Sequence, residues 1–257
     1  QDTIILVAQL VTQKGCVLPA IHAALLISTL VMQVQLRNGD VIISTPGLQK
    51  LTRQDIDEAA YVLAAGFKDD PFFSHLLPDE TNRLQALTLL LKRYVDLLYD
   101  YGNLYASSAR MEALALVYRP HQMEDRSSFW QLINNKAKVY LTIAKSVPVC
   151  REIGIKQFTR LFQIMQTMNS KWLNDFIRDD CAHLEFLVVQ KPYRGHGLAK
   201  KMVSRILGEC KKRGIVCSLE THNPKNVGMY KHFDFELVDK IRMPDSDLVQ
   251  YCMLYNR

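Results

Sequence analysis

The 257-residue sequence lacks several patterns that would assign a protein to a class at once. It has no internal repeat and no low-complexity tract, so repeat arrays and biased, disordered chains are excluded. It contains six cysteines but no Cys-x-x-Cys pair, which gives no reason to expect a metal site or a disulfide framework. We therefore expect reduced thiols, mostly in the core, and a cytoplasmic protein. The cysteines are Cys16, Cys150, Cys181, Cys210, Cys217 and Cys252.

A clean membrane-spanning segment is also missing. No charged residue lies between Lys14 and Arg37, and "AALLISTLVMQV" is strongly apolar, but four residues interrupt the run before it reaches about 20 apolar positions. These are Pro19, His22, Gln33 and Gln35. No A-x-A cleavage site follows the apolar part. We treat residues 1–40 as an N-terminal extension of undetermined status, with membrane association disfavoured and Met32 as a candidate natural start.

The positive charge is concentrated in one segment. The chain has a net charge of +6, and the stretch from Lys191 to Arg213 alone holds eight basic residues and one acidic residue. A nucleic-acid-binding protein would carry its basic residues in a stripe spread over its surface. A charge this localised favours a compact anion instead, so no nucleic-acid partner is expected.

The remaining sequence predicts a single α/β (α+β) domain over residues 41–257. Thr52 and Asp55 have the spacing of a capping box before a first helix, and a second helix is predicted to end at Gly102. Residues 122–174 are predicted to form a helical insert without a catalytic motif. The second half then alternates strand, helix, strand, helix, strand, strand. Its clearest helix covers residues 198–213, with apolar side chains on one half and basic side chains on the other.

The segment "VVQKPYRGHGLAKKM" joins a strand to this helix. Gly195 and Gly197 would let backbone N–H groups approach an anion, and the positive end of the helix adds to the attraction. The dinucleotide fingerprint G-x-G-x-x-G is not met, because Lys200 occupies the third glycine position, and a Walker A sequence is absent as well. The loop therefore predicts a phosphate or pyrophosphate site of another type.

Two motifs in the sequence resemble those of a known family. "R-G-H-G-L-A", Arg194 to Ala199, matches the R/Q-x-x-G-x-G/A signature of the GCN5-related N-acetyltransferases (GNAT), and "LETHNPKNVGMYKHFDF" is similar to that family's next strand and tyrosine helix. Both motifs occur in the family's order and cover about a quarter of the chain. The family's "GF" is "DF" here. Aspartate at position 234 tolerates the positive φ that glycine would supply.

The resemblance implies a fold and a co-substrate. The expected fold is a mixed, mostly antiparallel sheet flanked by helices, in which two parallel strands, residues 183–189 and 215–221, splay apart to hold acetyl-CoA. The pantetheine arm would pair with the main chain of the first strand, and the pyrophosphate would lie on the loop amides, with no metal required. The coenzyme-binding residues so implied are Leu187, Val188, Val189, Arg194, Gly195, His196, Gly197, Leu198, Ala199, Lys200 and Asn223.

The resemblance also implies catalytic roles for an amine that attacks the thioester directly. Tyr230 corresponds to the family's general acid. Glu185 and His183 alternate on one face of the first strand beside the expected thioester, and either is a candidate for the general base. For Asn223, a plain helix cap is as good an explanation as a coenzyme contact.

Three alternatives remain open on the sequence alone. The favoured function is acetyl transfer to a small-molecule primary amine. A protein or peptide N-acetyltransferase and a non-catalytic acyl-CoA-binding module of the same fold are the others. The identity of the acceptor amine is not readable, and a homodimer is neither indicated nor excluded.

Overall fold

The structure is a computed structural model that describes residues 45, 47–100, 102–119, 151–154, 156–158, 160, 164, 172–177, 180–243 and 246–255. The N-terminal extension and most of the predicted helical insert lie outside these residues. No helix in the described ranges combines the length and apolar content that crossing a bilayer would require.

The elements are named in chain order. They are β1 (Gln49–Lys50), a 3₁₀ turn (Arg53–Asp55), α1 (Ile56–Phe67), α2 (Pro71–Leu76), α3 (Arg83–Leu98), β2 (Gly102–Ala106), β3 (Ala113–Tyr118), α4 (Trp172–Phe176), β4 (Cys181–Val189), a second 3₁₀ turn (Lys191–Tyr193), α5 (Leu198–Arg213), β5 (Val216–Thr221), α6 (Pro224–Lys231), β6 (Glu236–Arg242) and β7 (Val249–Tyr255).

The strands form one sheet in the order β1-β2-β3-β4-β5-β7-β6. Every neighbouring pair is antiparallel except β4 and β5, which run parallel. A parallel pair needs a crossover, and α5 supplies it between the two strands. The predicted fold class, a mixed and mostly antiparallel sheet with one parallel pair, is confirmed.

Helices cover both faces of the sheet. On one face, α1 and α3 pack against alternate residues of the central strands, such as Leu114 and Leu116. On the other face, α5 packs against the residues between them, such as Ala115 and Val117. Both faces of the central strands are therefore buried.

Helix α5 has the bounds that its amphipathic pattern predicts. Its N-cap, Gly197, and its C-cap, Gly214, have φ values of 75° and 64°, a left-handed conformation that suits glycine. The buried side chains of the helix are Met202, Val203, Ile206, Leu207 and Cys210. The basic side chains predicted for the opposite half are exposed.

Two further local predictions are confirmed and one is wrong. The backbone N–H of Thr52 donates to Asp55 at 2.6 Å, as a capping box requires, and Asp234 has a φ of 65°. Gly102, however, does not end α3, which closes at Leu98. It begins β2, where a Cβ would lie 2.4 Å from the carbonyl oxygen of Val117. Close strand packing therefore explains this glycine.

The cysteines in the described residues are free and buried, as expected. They are Cys181, Cys210, Cys217 and Cys252. Cys16 and Cys150 lie outside the described part of the chain.

Candidate active site

The parallel strands β4 and β5 separate part-way along their length. They pair from Cys181 and Val216 to Leu184 and Leu219. Beyond that point β4 continues to Val189 along β3, while β5 continues along β7. From Glu185 onward, no strand in the described part of the chain lies beside β4 on the β5 side. The structure thus has the splayed pair, with an opening that starts at Glu185.

Every second residue of β4 directs its main-chain N–H and C=O groups toward this opening. The N–H of Gln190 donates to the carbonyl of Glu112 and so faces away from the opening. Because main-chain groups alternate sides along an antiparallel strand, those of Leu187 and Val189 face the opening and those of Val188 face β3. An extended ligand could therefore hydrogen-bond to Leu187 and Val189.

A β-bulge lies where the opening begins. Leu116 and Val117, which are consecutive on β3, pair with Phe186 and Leu184 of β4, so that Glu185 is the extra residue. A bulge re-aims the side chain of the inserted residue and bends the strand. Here it directs Glu185 toward α3.

The Glu185 carboxylate has two neighbours at hydrogen-bonding or ion-pairing range. The hydroxyl of Tyr94, on α3, donates to Oε1 at 2.7 Å. The Nε2 atom of His183 lies 3.6 Å from Oε2. The structure thus brings the two candidate bases together, and it adds a tyrosine that the sequence did not single out.

Burial sets the protonation behaviour of this pair. It raises the pKa of Glu185 to about 7, with a smaller contribution from the nearby carboxylate of Glu220 and an opposing one from the Tyr94 hydrogen bond. Burial lowers the pKa of His183 to about 4. Around neutral pH His183 is uncharged and Glu185 exchanges its proton readily, which is the behaviour that a general base needs.

His183 is held from its other side. Its Nδ1 atom lies 2.9 Å from the hydroxyl oxygen of Ser218, and that hydroxyl can itself donate to the carbonyl of Ala182 at 3.5 Å. If Ser218 donates to Ala182, then Nδ1–H donates to Ser218 and the lone pair on Nε2 faces Glu185. The Tyr118 ring packs 5.2 Å from the imidazole between ring centres.

The loop after β4 has open backbone donors. Its described residues provide no acceptor for the N–H groups from Gly195 to Lys200, and the first helical bond runs from Lys201 to Gly197. Gly195 has a φ of 82°, and a Cβ built on it or on Gly197 meets nothing within 4 Å. The geometry is that of an anion cradle at a helix N-terminus.

Basic side chains surround this cradle. Arg194, His196 and Lys200 are exposed, and the Arg194 Nε atom donates to the carbonyl of Val189 at 3.1 Å. This bond ties the first residue of the signature to the end of the open strand edge. Leu198 and Ala199 are half-buried where the helix begins.

Tyr230 and Asn223 lie on α6, beside the end of β5. The Asn223 side chain accepts from the N–H of Lys225 at 3.1 Å, so it caps the helix. Tyr230 is buried against Phe235, and burial raises the pKa of its phenol. It belongs to the α5 side of the sheet, whereas Glu185 contacts the α3 side. The candidate acid and base thus lie on opposite faces of the sheet.

Aromatic rings line the α1–α3 side. Phe67 contacts Phe73 and Phe186, with ring centres 5.2 and 5.4 Å apart. Phe72 stacks on His222 at 4.6 Å. Burial lowers the pKa of His222 to about 4, and its Nε2 atom has no hydrogen-bond partner among the described residues. A ligand on this side would meet a largely apolar wall.

Comparison with known proteins identifies the family. Residues 158–235, which include β4, the loop, α5, β5 and α6, match the model of the acetyltransferase (GNAT) family. The chain carries a GNAT acetyltransferase domain. It is therefore an N-acyltransferase by family, as the resemblance implied. No curated protein matches the sequence.

Two solved structures share this fold with a TM-score of 0.50 or 0.53, and a third is similar at a lower score. A histone acetyltransferase HPA2 and related acetyltransferase from Corynebacterium glutamicum is 16% identical, with 82% of this chain and 95% of that chain covered and a TM-score of 0.53. The C-terminal condensation domain of Ebony, solved with beta-alanyl-dopamine, is 8% identical, with 82% and 98% covered and a TM-score of 0.50. Arylalkylamine N-acetyltransferase 2 from Aedes aegypti is 16% identical, with 81% and 97% covered and a TM-score of 0.48.

Tyr94, Ser218 and His222 are the site residues that sequence reasoning missed. Tyr94 lies in an ordinary amphipathic helix, 91 positions from Glu185, and nothing local marks it. Ser218 could have been found, because it shares a strand face with Glu220 two residues on. No group of three or more His, Cys, Asp or Glu side chains suited to a metal ion occurs in the described part of the GNAT domain.

Proposed function

We propose that this chain is an acetyl-CoA-dependent N-acetyltransferase that acetylates the primary amine of a small molecule. The observation that carries the proposal is the opening between β4 and β5, which begins at Glu185 and ends at a loop with unbonded N–H groups. The strand edge, the anion cradle and a carboxyl of raised pKa are adjacent along nine residues of one strand and the loop that follows.

The proposed coenzyme position follows from the polar groups available. The pantetheine amides pair with the main-chain groups of Leu187 and the N–H of Val189, whose carbonyl already accepts from Arg194. The pyrophosphate accepts from the amides of Gly195 to Lys200. Arg194 and the exposed basic side chains of α5 neutralise the phosphates. The fit is supported by the open space over Gly195 and Gly197, where a side chain would otherwise block the backbone.

The proposed chemistry is direct attack. Glu185 takes a proton from the ammonium form of the acceptor, and the neutral amine nitrogen attacks the thioester carbonyl. The C–N bond forms as the C–S bond breaks, and the thiolate takes a proton from Tyr230. The acylated nitrogen then loses its second proton, and this proton returns Tyr230 to its phenol form. Burial holds Tyr230 in its protonated form, so it is present as a donor throughout the pH range in which Glu185 is ionised.

A small-molecule acceptor is favoured over a protein by the wall beside Glu185. The side chain of Glu185 is 17% exposed, and the rings of Tyr94 and Phe186 pack 5.7 Å apart next to it. An enclosed, apolar approach suits a compact amine better than a basic peptide. The Ebony domain, whose structure contains beta-alanyl-dopamine, shows that this fold can accommodate such a molecule. We place the protein in the cytoplasm, where its buried thiols would remain reduced.

Two measurements test the proposal. Calorimetry with coenzyme A should give one saturable site per chain, and release of free thiol from acetyl-CoA should rise when small primary amines are added. Peptides with free N-termini and lysine side chains form the second arm of the panel. If peptides are acetylated and small amines are not, the acceptor is a protein or peptide and not a small molecule.

Binding without turnover on any amine would support a non-catalytic acyl-CoA-binding module. No binding of coenzyme A at all would overturn the whole proposal. The presence of Glu185 with a pKa of about 7 at the opening argues for catalysis, because a binding module has no use for a buried carboxyl that ionises near neutral pH.

A further inference from the structure

We propose that Tyr94 is a positioning residue for Glu185, fixing which carboxylate oxygen receives the proton from the acceptor amine. This inference rests on the proposed function, in which Glu185 is the general base. It concerns a residue on helix α3, which lies outside both of the family motifs in the sequence.

The hydrogen-bond geometry carries the proposal. The Tyr94 hydroxyl donates to Oε1 at 2.7 Å, a strong distance for a bond between a hydroxyl and a carboxylate. The other oxygen, Oε2, has no such donor among the described residues, and it lies 3.6 Å from Nε2 of His183. With Oε1 committed to α3, Oε2 is the oxygen left to accept a proton.

The tyrosine is itself held in place. Its ring packs against Phe186, the residue after Glu185, with ring centres 5.7 Å apart. Burial and the adjacent carboxylates raise its pKa well above the ordinary value, so the hydroxyl keeps its proton and can donate around the pH at which Glu185 ionises. A donor that never ionises favours the carboxylate form of Glu185 over the protonated form.

His183 completes the arrangement on the other oxygen. When Ser218 donates to Ala182, the Nε2 lone pair of His183 faces Oε2, so it favours a proton on Oε2 and disfavours the bare carboxylate. Tyr94 and His183 therefore act on different oxygens and in opposite directions. The remaining ionisable groups facing Glu185 are Tyr118 of β3 and Glu220 of β5.

The test is the pH profile of kcat/KM for Tyr94→Phe. The acidic limb of this profile is the range in which kcat/KM rises with pH as Glu185 ionises. Removing the hydroxyl withdraws a hydrogen bond that stabilises the ionised form of Glu185, so the acidic limb should move to higher pH. A shift of about one pH unit is expected, with kcat/KM about tenfold lower well below the limb and far less affected well above it. A role confined to packing would lower kcat/KM equally at all pH values and leave the limb in place.

Tyr99→Phe is the matched control. Tyr99 lies just after α3, and its hydroxyl donates to the carbonyl of Leu51 at 3.0 Å, away from Glu185. Its removal should leave the acidic limb unchanged. An equal limb shift in both variants would overturn the proposal, because it would show a general effect of losing a buried hydroxyl.

A second substitution keeps the test independent of folding. Replacing Tyr94 with 3,5-difluorotyrosine preserves the ring and makes the hydroxyl a stronger donor, so the limb should move to lower pH, opposite to the phenylalanine variant. A limb that does not move in either variant that folds would refute the proposal.

Glu185→Gln separates this inference from the proposed function. If Glu185 is the base, the variant loses most activity, and adding Tyr94→Phe to it should cause no further loss. Full activity in Glu185→Gln would overturn the proposed role of Glu185 itself. A large loss in Glu185→Gln together with an additive loss from Tyr94→Phe would overturn only the positioning role of Tyr94.

Discussion

Gly66 of helix α1 lies directly against Val188 of strand β4. A Cβ built on Gly66 would stand 2.3 Å from the Cγ1 atom of Val188, closer than non-bonded atoms approach. The contact lets α1 lie flat on the strand whose free edge forms the opening. The position of the aromatic side chains on α1 and α2 relative to Glu185 therefore depends on Gly66 having no methyl group.

Gly66→Ala should destabilise the protein, because the added methyl group has no room unless α1 moves away from β4. Overpacking of this kind costs about 1–3 kcal/mol, which chemical denaturation would measure as a lower unfolding midpoint. Adding Val188→Ala removes the opposing atoms, so the double variant should lose less stability than the two single losses together. Gly228→Ala, with nothing within 4 Å of its Cβ, is the control. Additive losses in the double variant would contradict the packing explanation.

The sequence predicted the features that depend on local chemistry. Helix α5 followed from its apolar and basic halves. The positive φ of Asp234 was instead implied by the family resemblance, because Asp234 stands where the family has glycine. The loop was predicted as an anion site from its glycines and basic residues. The opening between β4 and β5 was implied only by the family resemblance, because no periodicity reveals that two strands separate.

The parts that could not be predicted depend on contacts between distant segments. Tyr94 and Glu185 meet only because α3 packs over the bulge in β4, and a bulge shifts strand register without leaving a pattern in the sequence. Gly102 was assigned to the wrong element for a related reason. A glycine near a helix end suggests a cap, and only the tertiary contact with Val117 shows that it serves a strand.

The loop glycines should be needed for coenzyme binding. Gly195→Ala and Gly197→Ala place a side chain at φ values of 82° and 75°, which costs about 1 kcal/mol or more per site. The loop would also lose the open backbone face, so calorimetry should show a higher Kd for coenzyme A. Gly208→Ala, at an exposed position inside α5, is the control, and alanine there should stabilise the helix by up to about 1 kcal/mol. Unchanged Kd values in both loop variants would rule out the anion cradle.

Glu185→Gln should abolish most of the activity without affecting coenzyme binding. The loss expected for a general base is about 100-fold or more in kcat/KM. In the unaltered protein, kcat/KM should rise with pH through an apparent pKa of about 7, because Glu185 accepts a proton only when ionised. The variant's residual rate should lack this limb. If the variant still shows a rise in kcat/KM near pH 7, that rise comes from another group, and His183→Gln would then be the next variant to profile.

The same substitution should stabilise the folded protein at alkaline pH. The pKa of Glu185 rises from 4.5 when unfolded to about 7 when folded, so between these values the folded state binds the extra proton. The folded state therefore loses stability relative to the unfolded state as pH increases from about 4.5 to 7, by on the order of 3 kcal/mol in total. Glutamine has no proton to lose, and its amide can still accept from Tyr94 and donate to His183.

The stability difference between Glu185→Gln and the unaltered protein should therefore be small near pH 4.5, grow up to about pH 7 and then level off. Because the burial of His183 affects both proteins, comparing the two isolates the contribution of Glu185. Denaturant unfolding at several pH values measures it, with Glu58→Gln at an exposed position of α1 as the control. A difference that does not change with pH would mean that Glu185 ionises in the folded protein as it does in the unfolded chain, and it would remove the physical basis for its role as a base.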